Sequence, residues 1–179
     1  MPVFLIECIH DRGSSYQWIF GGPMMNKIYY REFYETIKDI AKHPVVRQMK
    51  RYPHHGNTSC YKHCLRVAYQ NYVLCRKLRL DARAAARAGM LHDLFLYDWH
   101  THAKETGERW HGLKHPEKAY RNARKIFHLN QTESDIIRNH MWPVTFCRFP
   151  RTKEGWITVL TDKYSGLFET GRRRRKEKR

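Results

Sequence analysis

Apolar positions recur at helical spacing along most of this chain, and nowhere do they alternate as a half-buried strand requires. In "MNKIYYREFYETIKDIAKHP", Phe33, Ile37, Ile40 and Ala41 fall on one face of a predicted helix. "PVVRQMKRYPHHGNT" reads as a short helix ending before Pro53, then a loop. Asn57, Thr58 or Ser59 is placed to cap a second long helix that runs to about Leu80, because short polar side chains satisfy the free N–H groups of a first turn. Asp81 is placed to cap a third, "ARAAARAGMLHDLFLYD", whose alanines favour helix strongly. A polar loop follows over about 99–113. "KHPEKAYRNARKIFHL", "TESDIIRNHM" and "KEGWITVLTDKYSGLFET" complete the helical series. In the middle one, Thr132 is the expected cap, with Asp135 three residues on in a capping-box-like arrangement.

The fold class is therefore all-α, a compact helical bundle over residues 25–170. Residues 1–24 carry turn signals ("GSS", "GGP") and no sustained period, so they read as an irregular N-terminal extension. Residues 171–179, "GRRRRKEKR", read as a basic C-terminal tail, expected to be disordered and solvated. Its seven basic residues and one acid give it +6, which leaves +11 of the formal +17 on the body of the chain. Such an excess points to a polyanionic partner or an anionic substrate.

Other totals narrow the picture. At 179 residues the chain has room for one cored domain. No apolar run approaches the ~20 residues of a membrane span, and "MPVFLIECIHDRG" lacks a basic start and is broken by Glu7. A cytoplasmic location is the expectation. Five cysteines, odd in number and irregular in spacing, read as free thiols. Cys60 and Cys64 lie near His54 and His55, but no second pair has zinc-finger spacing, and the grouping is taken as chance.

The informative residues are polar ones on apolar faces. His63 lies in line with Val67 and Leu74, beside a stripe of Tyr61, Leu65, Ala68 and Tyr72. His92 and Asp93 interrupt a run of Met90, Leu91, Leu94, Phe95 and Leu96. His115 begins the stripe Ala119, Ala123, Ile126; His140 follows Ile136 and Ile137; Asp162 follows Val159. One such histidine is usually a hydrogen-bonded core residue. Four histidines and two aspartates on five helices would be a costly set without a shared partner. Imidazole nitrogens and carboxylates are natural ligands of a dication. Six of them suit two ions with one carboxylate shared.

The order His63, His92-Asp93, Asp162 resembles the H…HD…D signature of the HD-domain metal-dependent phosphohydrolases. "YKHCLRVA", "AGMLHDLFLYD" and "VLTDKYSG" are similar to that superfamily's ligand-bearing helices, and the resemblance covers roughly residues 45–170. His115 in "KHPEKA" and His140 in "RNHM" extend it to the six-ligand, binuclear branch. The resemblance implies an HD-type helical bundle. It implies that His63, His92, Asp93 and Asp162 hold one metal, and that Asp93 bridges to a second held by His115 and His140. Iron, manganese or another first-row ion fits the ligand set, with magnesium also admitted. "HDLF" stands where cyclic-di-GMP phosphodiesterases of the superfamily continue with Ile-Gly-Lys, and no Gly-Tyr-Pro follows, which weakens that substrate. Leu96 stands where monometallic HD nucleotidases often carry a glutamate.

The expected reaction is hydrolysis of a phosphoester or phosphoanhydride bond of a nucleotide or related metabolite, by attack of a metal-bridging hydroxide. Asp93 and His111 are the candidate catalytic residues, His111 as a substitute metal ligand or as the acid that protonates the leaving oxygen. Arg66, Lys104, Arg109 and Lys114 are the candidate phosphate clamps. Trp110, Trp142 and Phe146 flank the site in sequence, where an aromatic could stack a base. Asp98, His100 and His102 in "YDWHTH" imitate a metal triad, but their alternation suits a strand rather than a helix end. The alternative function is an HD-type module that holds nucleic acid through its basic surface and tail. Its sign would be salt-dependent binding that survives His92→Ala/Asp93→Ala and falls when Arg172–Arg175 are removed.

Overall fold

The computed structural model describes residues 27–55, 58–107 and 110–177. The irregular extension expected over 1–24 lies outside them. The helices in chain order are α1 (Lys27–Lys42), α2 (Pro44–Arg47), a 3-10 turn (Gln48–Arg51), α3 (Cys60–Lys77), α4 (Ala82–Leu91), α5 (His102–Thr106), α6 (His111–Ile126), α7 (Gln131–Asn139) and α8 (Lys153–Glu177). The described residues form no strand; a single antiparallel bridge joins Pro53 to Ser59. The all-α expectation holds.

Helix α4 lies at the centre and packs against α1, α3, α6, α7 and α8. Its sequence explains the position. Ala84, Ala85, Ala86, Ala88 and Gly89 are all buried, and small side chains let neighbouring helices approach. Gly89 is the tightest point: a Cβ there would stand 2.9 Å from Ala68 Cα and 2.8 Å from Asn71 Nδ2. Around this axis Phe33, Ile37, Ile40, Leu65, Ala119, Ala123, Ile136 and Ile137 form the apolar core. Leu74, expected on the inner stripe of α3, is exposed instead.

Two buried polar groups tie the bundle together without orphaned atoms, as burial demands. Asn71 donates to Ala85 O at 3.2 Å and to Thr158 Oγ1 at 2.9 Å, and accepts from Thr161 Oγ1 at 2.6 Å, which joins α3, α4 and α8. Asp135 accepts from the backbone N–H groups of Arg151 (3.0 Å) and Thr152 (3.1 Å), fixing the chain as it enters α8.

Helix ends refine the sequence reading. Ser59 and Asp81 cap α3 and α4 as expected. The cap of α7 is Asn130, in a capping box with Glu133, rather than Thr132 with Asp135; Asp135 is committed to the α8 entry. The third predicted helix is shorter than its alanine content implies. It stops at Leu91, with His92 as C-cap, and Leu96 turns left-handed at φ 61°. At the C-terminus, α8 continues to Glu177, so the backbone of the expected disordered tail is helical as far as that residue.

Candidate metal centre

His92 and His140 are both C-cap residues, of α4 and α7. Each ring folds back on its own helix. His92 Nδ1 donates to Gly89 O at 2.8 Å and His140 Nδ1 donates to Ile137 O at 2.9 Å. Because a carbonyl only accepts, Nδ1 carries a proton, and Nε2, which points away from the helix, offers its lone pair whenever the ring is neutral. The same local device is thus used twice. The two helix C-termini add their partial negative charge, which favours a cation between them.

Asp93, the next residue after His92, is buried where these lone pairs converge. Its Oδ1 faces His115 Nε2 at 3.2 Å and His140 Nε2 at 3.5 Å. Its Oδ2 faces His54 Nε2 at 3.0 Å, His92 Nε2 at 3.3 Å and His63 Nε2 at 4.0 Å. Asp162, from α8, brings Oδ1 to 3.0 Å from His63 Nε2 and 3.6 Å from His92 Nε2. His115 Nε2 and His140 Nε2 stand 3.0 Å apart. The fold thus brings together all six residues singled out as ligands: His63, His92, Asp93, His115, His140 and Asp162.

The electrostatics agree with a place built for positive charge. Burial opposes ionisation of Asp93, but His92, His54, His115 and His140 around it hold its carboxyl well below the usual carboxylate range. Burial opposes ionisation of Asp162 too, and its hydrogen bond with His63 and the nearby His92 ring override it in the same direction. Burial disfavours charge on His92, yet Asp93 beside it lifts the ring well above the usual histidine value. Burial pushes His140 down, against the pull of Asp93.

A test of fit to metal follows from the orphaned atoms. Buried polar side chains almost always find a hydrogen-bond partner. Here His92 Nε2 and Asp93 Oδ1 have none, and both point into the cluster. The donor sets His63–His92–Asp93 and Asp93–His115–His140 each gather their ligand atoms within 4.8 Å. These residues fit a divalent cation in each set, with Asp93 common to both.

Residues outside the six complete the site. Glu169, two turns beyond Asp162 on α8, is buried and accepts from His63 Nδ1 at 3.1 Å. It leaves the Nε2 of that ring for the cluster. Arg66, expected as a phosphate clamp, is buried and ion-paired to Glu169, with its guanidinium over Phe168. Its charge serves the carboxylate behind His63. The seven-residue spacing of Asp162 and Glu169 was the available signal for this partner.

His54 was discounted in the sequence with its cysteine neighbours. It is buried against His63, ring centroids 4.4 Å apart, and reaches the cluster across a loop rather than along a helix. Cys60 donates to Asp93 O at 3.4 Å, and burial pushes its thiol up.

Lys104 and Lys114 are exposed, on α5 and in the first turn of α6. Arg109 lies outside the described residues. His111 opens α6, one turn before His115. Trp110 precedes it, 73 % exposed, and Phe146 is 81 % exposed. The "YDWHTH" imitation separates: His100 bonds Asp98 at 3.0 Å while His102 stacks on Tyr97.

Comparison with known proteins agrees with this geometry. The HD domain family matches residues 60–165, more than half of the chain. The chain belongs to the HD domain family. It is also 29 % identical over 91 residues to "Putative phosphohydrolase YueE" of Bacillus subtilis (strain 168). That alignment covers 48 % of each protein, so the chain matches about half of its relative. No solved structure matches it significantly. Among the described residues no helix is long and apolar enough to cross a membrane.

Proposed function

We propose that this HD domain is a metal-dependent phosphohydrolase that cleaves a phosphoester or phosphoanhydride bond, in a nucleotide or a related phosphorylated metabolite. The observation that carries this reading is the division of Asp93. One carboxylate oxygen faces His115 and His140 and the other faces His63 and His92, with Asp162 completing the second group. The name borne by the Bacillus relative supports it.

In this reading His63, His92, Asp93 and Asp162 hold one divalent ion, and Asp93, His115 and His140 hold the other. When bound, the pair supplies a water deprotonated near neutral pH and Lewis-acid polarisation of phosphoryl oxygens. The chain's own residues do the rest. Asp93 keeps the two donor sets in register, and its low pKa keeps it an acceptor. The Nδ1–H bonds to Gly89 O and Ile137 O hold His92 and His140 in the tautomer that offers Nε2. The apolar shell of Leu91, Leu94 and Phe95 excludes water behind the site, which strengthens every charge interaction within it.

His111 is one turn from His115 on α6, a position from which it protonates the leaving oxygen. Lys104 and Arg109, from the segment between α4 and α6, and Lys114, in the first turn of α6, supply positive charge to the phosphates. Trp110 offers a face on which a base stacks. Imidazole-rich donor sets favour iron, cobalt, nickel or zinc over magnesium.

The test is to purify the chain without chelator, measure bound metal, and screen phosphorylated metabolites with manganese, iron or cobalt. Nucleoside phosphates, dinucleoside polyphosphates and cyclic dinucleotides belong in that screen. The expected result is at least one hydrolysed class, with Asp93→Ala lowering turnover at least ~100-fold, as loss of an electrostatic group in an active site does. No bound metal and no hydrolysis with any ion would refute the reading.

A further inference from the structure

His54 belongs to neither donor set that the HD signature implies, yet its Nε2 approaches Asp93 Oδ2 at 3.0 Å, closer than that of His92 (3.3 Å) or His63 (4.0 Å). Donor atoms around one first-row cation stand ~3 Å apart when adjacent and ~4 Å when opposite, given bonds of ~2.1 Å. The separations from Asp93 Oδ2 to all three rings fall in that range, as does the 3.0 Å between His63 Nε2 and Asp162 Oδ1.

The placement is not that of a loose loop side chain. His54 N donates to Thr58 O at 2.9 Å, Cys60 N donates to Tyr52 O at 2.9 Å, and the Pro53–Ser59 bridge closes the turn between them. The ring packs between His63 and His55, with centroids 4.4 and 4.2 Å away, and against Phe95. His54 is buried and its Nδ1 has no hydrogen-bond partner. Burying a nitrogen without a partner is costly, and one ordinary hydrogen bond from the other nitrogen barely offsets it. A bond to a cation supplies a stronger reason for burying the ring.

We propose that His54 is a further ligand of the ion held by His63, His92, Asp93 and Asp162. The proposal rests on the metal-centre reading above. It makes that donor set three imidazoles and two carboxylates, one short of six. It also makes the two ions unequal among the described residues, where His115 and His140 have no comparable third histidine beside them.

Cobalt(II) titration of the full metal-free chain tests this, read by chelator competition and visible absorption. His54→Gln keeps an N–H able to reach Asp93 but lacks an imidazole; His54→Ala lacks both. If His54 is a ligand, both variants lose at least ~10-fold in affinity for one of the two ions, since even an outer partner of a ligand is worth that much. Both also change the cobalt spectrum. The wild-type cobalt-loaded protein then shows five paramagnetically shifted imidazole N–H signals by NMR.

If His54→Gln retains wild-type affinity and spectrum, and NMR counts four rings, His54 only donates a hydrogen bond to Asp93 and the proposal is overturned. Should both variants fail to fold, the wild-type ring count decides alone. A wild-type chain that takes up no cobalt refutes the metal centre itself, a result distinct from four rings in a loaded protein.

Discussion

Glu169 accepts a hydrogen bond from His63 Nδ1 at 3.1 Å, and Asp162 meets the other nitrogen of the same ring at 3.0 Å. Both carboxylates come from α8. The ring is therefore oriented from both sides by one helix, and Arg66 ion-pairs with Glu169 from behind.

Glu169→Gln is accordingly expected to weaken binding of the ion held by His63 by ~10–100-fold, the usual effect of removing a carboxylate behind a metal-ligating histidine. Metal titration followed by calorimetry checks it. An unchanged affinity would mean that the carboxylate has no part in presenting the ring.

Acid is expected to destabilise the metal-free protein. Burial, with His54 and His63 nearby, lowers His55 from 6.5 to about 4, and burial lowers His54 and His140 as well. Their contribution is complete above pH 6.5 and is lost as pH falls, because the unfolded chain binds protons first. The lowered pKa values of Asp93 and Asp162 act in the same direction at still lower pH. His92 opposes them: its raised pKa contributes stability below pH 6.5 that is lost as pH rises through its folded value. Below pH 6.5 His92 is protonated in both states and adds no further change, so the lowered histidines give a net loss from about pH 6.5 towards 4. Urea unfolding should give a higher midpoint at pH 7 than at pH 4.5; the reverse order would show that His92 dominates.

Gly89→Ala should destabilise the bundle by ~1–3 kcal/mol, the range for forcing one methyl group into a packed core. The new Cβ would meet the backbone of Ala68, which has little room to give way. The substitution sits three residues before His92, so metal affinity should fall with the melting temperature. A variant as stable as the parent would show that α3 and α4 separate readily.

The helical fold was legible because α1, α3, α4, α6 and α7 each carry an apolar face of period 3.6, and α3 and α4 open on caps their sequences announce, whereas α5 (HAKET) has no such face and lies in the stretch read as a polar loop. The six convergent residues were legible for a related reason. A histidine or aspartate on an apolar stripe calls for a partner, and His63, His92, Asp93, His115, His140 and Asp162 are all buried. Helical periodicity says nothing about loops, and His54 reaches Asp93 through a turn closed by the Pro53–Ser59 bridge. Arg66 was read one turn from His63 and so at the rim. Only tertiary packing shows that α8 lays Glu169 across it. Alanine propensity extended α4 to Asp98, whereas the helix ends at Leu91 with His92 as its C-cap.

Between Asp162 and Glu169 the chain makes nearly two helical turns, and a seven-residue step returns to within ~20° of the same face. Residues in that interval such as Tyr164 and Leu167 are exposed, so their identities are free to vary while their number is not. One residue inserted or deleted there would swing Glu169 by ~100° and release one side of the His63 ring. Over this stretch, natural variation should take the form of substitution at constant length.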